Sequence, residues 1–234
     1  MSRVLITGAN RGLGLEFVRQ YAADGWDVIA TSRSPEKSAE LQQLERKNSK
    51  VSLKALDVTS TKSVEALAQA VSSQAIDLLV LNSAIYTRNG NKLGEIDYDT
   101  WREANETNLI GAVRVAEALL ENVAASKRKQ IAAISTGMGS MQALNSTIGF
   151  GAVYQYRTSK AALNMAMSIL AKELEPRGIS VVIFDPGWVQ TDMGGANAAL
   201  TPQESIGGMR RVLAGDPMSL TGKFVGYDGG TRPW

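Results

Sequence analysis

The sequence predicts an α/β fold: one doubly wound Rossmann-type domain over residues 1–234, with a parallel sheet of about seven strands and helices on both faces. Three observations carry this expectation. Short runs that are apolar on consecutive residues recur along the chain, and strands of that kind are buried on both faces, as in a parallel sheet. Longer stretches with helical periodicity separate them, so the connections are right-handed crossovers. The first apolar run ends in a glycine turn, Gly8-Ala9-Asn10-Arg11-Gly12-Leu13-Gly14, which opens a helical pattern.

In chain order, the first strand is expected from Arg3 to Thr7, followed by a helix from Gly12 to Asp24 that starts inside the glycine turn. A strand from Asp27 to Thr31 and a helix from Pro35 to Lys47 come next, then Val51 to Leu56 and a helix from Thr61 to Ser73. The apolar run Ile76 to Leu81 is the fourth strand, and a single long helix is expected from Asp97 to Ala125. Strands Gln130 to Ser135 and Ile179 to Phe184 flank a helix from Val153 to Glu175. A helix from Pro202 to Leu213 and a strand from Lys223 to Gly226 complete the order. Two Gly/Ser/Asn-rich stretches, Tyr86 to Gly94 and Gly137 to Gly151, follow strand ends, where open α/β sheets bind ligands.

Composition removes several function classes. The chain has 25 Lys and Arg against 23 Asp and Glu, scattered apart from Lys127-Arg128-Lys129, which reads as a solvated helix end, so no nucleic-acid partner is expected. It has no cysteine and no histidine, which excludes disulfides, thiolate nucleophiles, the usual zinc ligands and a Ser-His-Asp triad; no metal is expected. Proton transfer falls to Tyr, Lys or carboxylates. The first residues enter a strand without a secretory apolar stretch, and no apolar run is long enough to span a bilayer. A cytoplasmic protein without a membrane partner is expected, which makes the sequons at Asn105 and Asn145 incidental.

Within the glycine turn, Gly8 permits the tight bend, Gly12 lets the backbone approach a pyrophosphate, and Gly14 lets helix and strand pack closely. NAD-binding sites often carry an acid at the end of the second strand, whereas this chain reads Ala30-Thr31-Ser32-Arg33. Arg33 and Arg11 are expected to clamp a 2′-phosphate, so NADP(H) is preferred and NAD(H) stays possible. Further along, Tyr156 and Lys160 stand four residues apart in YRTSK and share one helical face.

These motifs together resemble the short-chain dehydrogenase/reductase family: TGANRGLG at 7–14, LDV at 56–58, LNSA at 81–84, Asn108 in ETNLIGA, ISTGMGS at 134–140, YRTSK at 156–160 and DPGWVQTDM at 185–193. The TGMGS, YRTSKAALN and GWVQTDMGG segments are most similar to the C-factor and sniffer-like carbonyl reductases. The resemblance implies cofactor contacts at Asn10 and Leu13 in the turn, Ser32 at the strand end, Asp57 and Val58 at the adenine, and Asn82, Ser83 and Ala84 at the adenosine ribose. Pro186, Gly187, Val189 and Thr191 would border the nicotinamide. The chain departs from the family where Asn82-Ser83-Ala84-Ile85 lacks a glycine after the fourth strand, and where Thr136 stands in place of the catalytic serine. Ser135 is the alternative hydroxyl, and adjacent strand residues point to opposite faces.

The implied chemistry is reduction of a carbonyl, or the reverse. Tyr156 would protonate the oxygen, Thr136 would stabilise charge there, and Asn108 would hold a water relaying protons to Lys160, unless Asn108 is a buried residue satisfying backbone. A free tyrosine titrates near 10, and Lys160 and the oxidised nicotinamide together are expected to pull Tyr156 down. Met138, Met141, Leu144, Ile148, Phe150 and Tyr154 make the 137–155 stretch an apolar flap, suited to a hydrophobic small-molecule aldehyde or ketone, or else a subunit contact. A homodimer or homotetramer through the helices at 97–125 and 153–175 is implied. The alternative is an NADP(H)-binding regulatory or signalling protein with little turnover.

Overall fold

In a computed structural model, describing residues 2–87 and 92–234, seven parallel strands pair in the order β3-β2-β1-β4-β5-β6-β7. These are β1 Arg3–Ile6, β2 Asp27–Ser32, β3 Val51–Ala55, β4 Leu78–Leu81, β5 Gln130–Ile134, β6 Ser180–Asp185 and β7 Phe224–Gly226. The expected α/β class and doubly wound sheet are thus observed. Strand order reverses at β1, which pairs with β2 on one side and β4 on the other, and that is where an open α/β sheet leaves a crevice at its carboxyl ends.

Alternation along each strand divides the core into two layers. Leu5, Leu79, Ile131 and Ile183 face a cluster with α3 (Thr61–Ala70), α5 (Gly111–Ala118) and α8 (Tyr154–Leu174). Val4, Ile6, Val80 and Phe184 face the other side, against α1 (Gly12–Ala23), α2 (Ala39–Lys47) and α9 (Pro202–Leu213). Both faces of the inner strands are buried, which is why they lack polar alternation, whereas the edge strand β3 alternates, with Ser52 and Lys54 only partly buried.

Four expectations change. The single helix over 97–125 is broken into α4 (Tyr98–Asn105), a π turn (Glu106–Ile110), α5 and α6 (Leu120–Ala124). Gly111 lets this region press on Val58, whose Cγ2 would lie 2.8 Å from a Cβ there, and the π turn directs Asn108 at the end of β4. The helix over 35–47 is a 3₁₀ turn (Pro35–Lys37) followed by α2, separated by Ser38, whose hydroxyl caps Leu41 N–H. The 137–151 stretch has structure of its own: 3₁₀ turns at Gly137–Gly139 and Ile148–Phe150 around α7 (Leu144–Thr147). Arg128 is half-buried, donating to Leu213 O at 2.9 Å and lying over the Trp26 ring, so it is more than a solvated helix end. Of the expected loop from Tyr86 to Gly94, residues 88–91 lie outside the described residues. No described helix is long and apolar enough to cross a membrane.

Candidate active site

The glycine turn, the ends of β2 to β6 and the first turns of α8 enclose a cleft of about 1590 Å³. At its floor, Gly8 takes φ 65°, and a Cβ there would sit 3.0 Å from Ser83 Cα. Asn82 Nδ2 donates to Thr7 O at 2.9 Å and Gly8 O at 3.1 Å, while Thr7 Oγ1 accepts from the Asn82 and Ser83 N–H groups. Asn82 therefore braces the turn as well as lining the cleft. No side chain caps the N-terminus of α1, so its first N–H groups remain available to a phosphate. Gly14 does not line the cleft; a Cβ there would run into the Gly8 carbonyl, so its role is close packing.

At the end of β2, Ser32 Oγ is buried without a hydrogen-bond partner among the described residues, and Arg33 and Lys37 line the same wall. Neither cation is in an ion pair among the described residues. An orphaned hydroxyl beside two free cations suits a ribose phosphate. Arg11 behaves otherwise than expected: its Nη1 pairs with Asp192 Oδ2 at 2.8 Å and is not free beside Arg33. Asp57 accepts from Thr59 N–H and Oγ1, and the Thr59 hydroxyl bond chiefly holds its carboxyl below the usual range, with Arg33 adding to it. Asn10, Gly12, Leu13, Val58 and Ala84 line the cleft as expected.

At the other end, α8 carries Tyr156 and Lys160, both buried, into the cleft. Lys160 Nζ donates to Ile134 O at 2.7 Å, and burial pushes its ammonium down to about 7. Burial, then the charge of Asp185 and the nearby Tyr86, push the Tyr156 phenol above its ordinary value. Lys160, whose ammonium lies 6.0 Å from the ring centroid, is not among the groups that shift the phenol, so the expected downward pull is left to the oxidised nicotinamide. The protein's own groups thus hold Tyr156 in its acid form.

Thr136 and Ser135 both touch the cleft but have different partners. Ser135 Oγ donates to Asn164 Oδ1 in the interior, whereas Thr136 Oγ1 accepts from Met138 N–H at 3.2 Å and donates to no described residue. Asn108 is fully buried behind the cleft: Oδ1 accepts from Ile85 N–H at 2.8 Å, and Nδ2 donates to Ile85 O and Ser159 Oγ. Its side chain ties the end of β4 to α8. Pro186, Gly187, Val189 and Thr191 border the cleft after β6, with Thr191 Cγ2 opposite Gly12.

Only part of the expected apolar flap faces inward. Met138 and Phe150 line the cleft, while Met141, Leu144 and Ile148 point outward, and Tyr154 packs on Trp101. Two aromatic residues not expected from the sequence complete this end: Tyr86 stands edge-on to Tyr156 at 5.0 Å, and Trp188 meets Phe150 at 5.6 Å. Their only sequence signal was position, after β4 and after the Pro186-Gly187 turn. Among the described residues no carboxylate cluster could hold a metal ion.

Comparison with known proteins agrees with this geometry. The family model described as short chain dehydrogenase matches residues 2–200. The C-signal protein of Myxococcus xanthus is 36% identical over 171 residues, covering 73% of this chain and 100% of that protein. Among solved structures, the NADPH-bound carbonyl reductase from chicken fatty liver superposes with TM-score 0.93 at 32% identity, covering 100% of this chain and 99% of that one. Carbonyl reductase Sniffer of D. melanogaster gives TM-score 0.91 at 29% identity, with 100% of both chains covered.

Proposed function

The chain belongs to the short-chain dehydrogenase family and is an NAD(P)-dependent oxidoreductase, and on that premise we propose that it is an NADPH-dependent reductase of apolar aldehydes or ketones. The observation that carries the reading is the buried pair Tyr156 and Lys160 beside the undonated hydroxyl of Thr136, facing the loop of Pro186 and Gly187 across one cleft.

NADPH, when bound, supplies the hydride that goes to the carbonyl carbon. Tyr156 holds a proton at its Oη and delivers it to the carbonyl oxygen; the raised pKa keeps that proton in place at neutral pH. Thr136 donates a hydrogen bond to the same oxygen as negative charge develops. Lys160 would hold the nicotinamide ribose and replace the proton that Tyr156 gives up, regaining its own from solvent, while Asn108, bonded to Ile85 and Ser159, would keep α8 in place beside the end of β4. Tyr86, Met138, Phe150 and Trp188 exclude water and favour an apolar substrate.

Arg33, Lys37 and the orphaned Ser32 hydroxyl support preference for NADP(H), with Arg11 joining them once it leaves Asp192. That pair is exposed and worth about 0–1 kcal/mol, so a phosphate competes with it readily. An NADPH-bound and an NADP-bound carbonyl reductase among the similar structures support this preference. Side-by-side calorimetric titration tests it: NADPH should bind more tightly than NADH, with the gap closing in Arg33→Ala. Equal affinities would overturn the cofactor assignment.

Resemblance to the C-signal protein favours a second reading, a nucleotide-binding signalling protein with little turnover. NADPH binding without oxidation by any aldehyde or ketone would support that reading instead. Exposed Ile110, Met165 and Ile169 on the π turn and α8 support a homodimer or homotetramer.

A further inference from the structure

Arg157 lies between Tyr156 and Lys160 in the YRTSK motif, yet it faces away from the cleft. One position beyond Tyr156 on α8, its side chain is turned by about 100° from the catalytic face. It is 7% exposed and absent from the cleft wall. Among the described residues its guanidinium hydrogen-bonds to neutral acceptors on the 137–151 flap: Nε donates to Gly151 O at 3.0 Å, Nη1 to Met138 O at 3.2 Å and Thr147 Oγ1 at 2.9 Å, and Nη2 to Thr147 O at 2.5 Å. One side chain therefore gathers the beginning, middle and end of the flap.

The flap has little else to hold it at that end. Neither α7 nor the following 3₁₀ turn contains a buried residue, and Leu144, Ile148 and Phe150 are 44%, 48% and 52% exposed. The chain then enters α8 through a left-handed corner, Gly151 at φ 100° and Val153 at φ 35°, the second unfavourable for a β-branched residue. Such a corner persists only where surrounding bonds fix it: the Arg157 side chain holds its start through Nε to Gly151 O, and the first backbone bond of α8, Arg157 N–H to Val153 O, holds its end. At the other end, Gln142 N–H and Ser140 Oγ donate to Trp234 O.

We propose that Arg157 is a specificity-determining positioning residue, a clamp that fixes the flap so that Met138 and Phe150, the latter against Trp188, shape the substrate end of the cleft. The inference rests on the reductase reading for its kinetic consequence but not for the clamp itself. The role needs the planar fork: a lysine ammonium has one nitrogen and cannot span acceptors spread from Met138 to Gly151.

The test uses the whole protein with Arg157→Lys, Arg157→Met and, as a milder change on the flap side, Thr147→Val. Amide hydrogen exchange within 137–151 should quicken in all three, most in Arg157→Met, while α8 beyond its first turn and the sheet keep their protection and NADPH affinity stays as in the parent. With naphthaldehyde as bulky probe and propanal as small one, KM for naphthaldehyde should rise about tenfold, equivalent to about 1.4 kcal/mol, with kcat changed far less and propanal little affected. Unaltered exchange in 137–151, or kcat and KM shifting alike for both aldehydes, would overturn the proposal. A parent protein that turns over neither aldehyde would defeat the reductase reading, and the exchange result would still decide the clamp.

Discussion

Arg11 Nη1 lies 2.8 Å from Asp192 Oδ2, so the glycine turn is tied to the segment after β6 across the mouth of the cleft. The pair lies beside the N-terminus of α1 and engages the Arg11 guanidinium. Asp192→Asn should therefore free Arg11 and tighten NADPH binding up to about fivefold, the equivalent of an exposed ion pair of about 1 kcal/mol. Arg11→Ala should weaken it. Titration calorimetry reads both, and weaker binding in Asp192→Asn would mean that the pair serves to hold the cofactor.

Lys160 gives a pH dependence of definite sign. Burial lowers its ammonium to about 7, and bound NADPH, with its phosphates and ribose hydroxyls, favours the charged form and raises that value. Affinity is then full below pH 7 and falls as pH rises from 7 through the higher value of the complex. Binding at pH 8 should take up a proton, visible as a buffer-dependent heat in calorimetry, and Lys160→Met should abolish the uptake.

Asp185 sits at the end of β6, accepting from Gly137 and Gly187 N–H and paired with Arg232, and its charge adds to burial in raising Tyr156. Asp185→Asn keeps an acceptor for the two N–H groups but removes the charge. The Tyr156 pKa should fall, moving the alkaline limb of the reduction profile to lower pH and speeding alcohol oxidation at a fixed alkaline pH. An unmoved profile with lowered kcat would assign Asp185 to scaffolding alone.

Gly14→Ala places a methyl against the Gly8 carbonyl and Asn82 Nδ2, in a turn braced by that same amide. The cost should be about 1–3 kcal/mol of stability with NADPH affinity lost as the turn shifts. Thermal unfolding and titration check the two effects separately.

The sequence carries what is local. Gly8, Gly12 and Gly14 fall where strand and helix must meet, and the spacing of Tyr156 and Lys160 puts both on one face without knowledge of the rest of the chain. Contacts made at long range were not legible in it. Arg11 finds Asp192 181 residues away, Asp185 finds Arg232 47 residues on, and Tyr86 reaches Tyr156 because β4 ends and α8 begins at the same cleft. The break in the 97–125 helix escaped for the same reason, since the residues it packs on, Val58 and Ile85, lie on other segments. The sign of the Tyr156 shift also depends on burial, which residue spacing does not contain.

Hydride transfer tested with and without the Tyr156 hydroxyl reaches the central claim most directly. The protein is supplied with NADPH deuterated at the transferable position of nicotinamide C4 and with naphthaldehyde, and the alcohol is weighed by mass spectrometry. One deuterium is expected on the alcohol carbon with the parent protein, and loss of nearly all turnover in Tyr156→Phe with NADPH affinity retained. Turnover in Tyr156→Phe equal to that of the parent, or an alcohol free of deuterium, would contradict it.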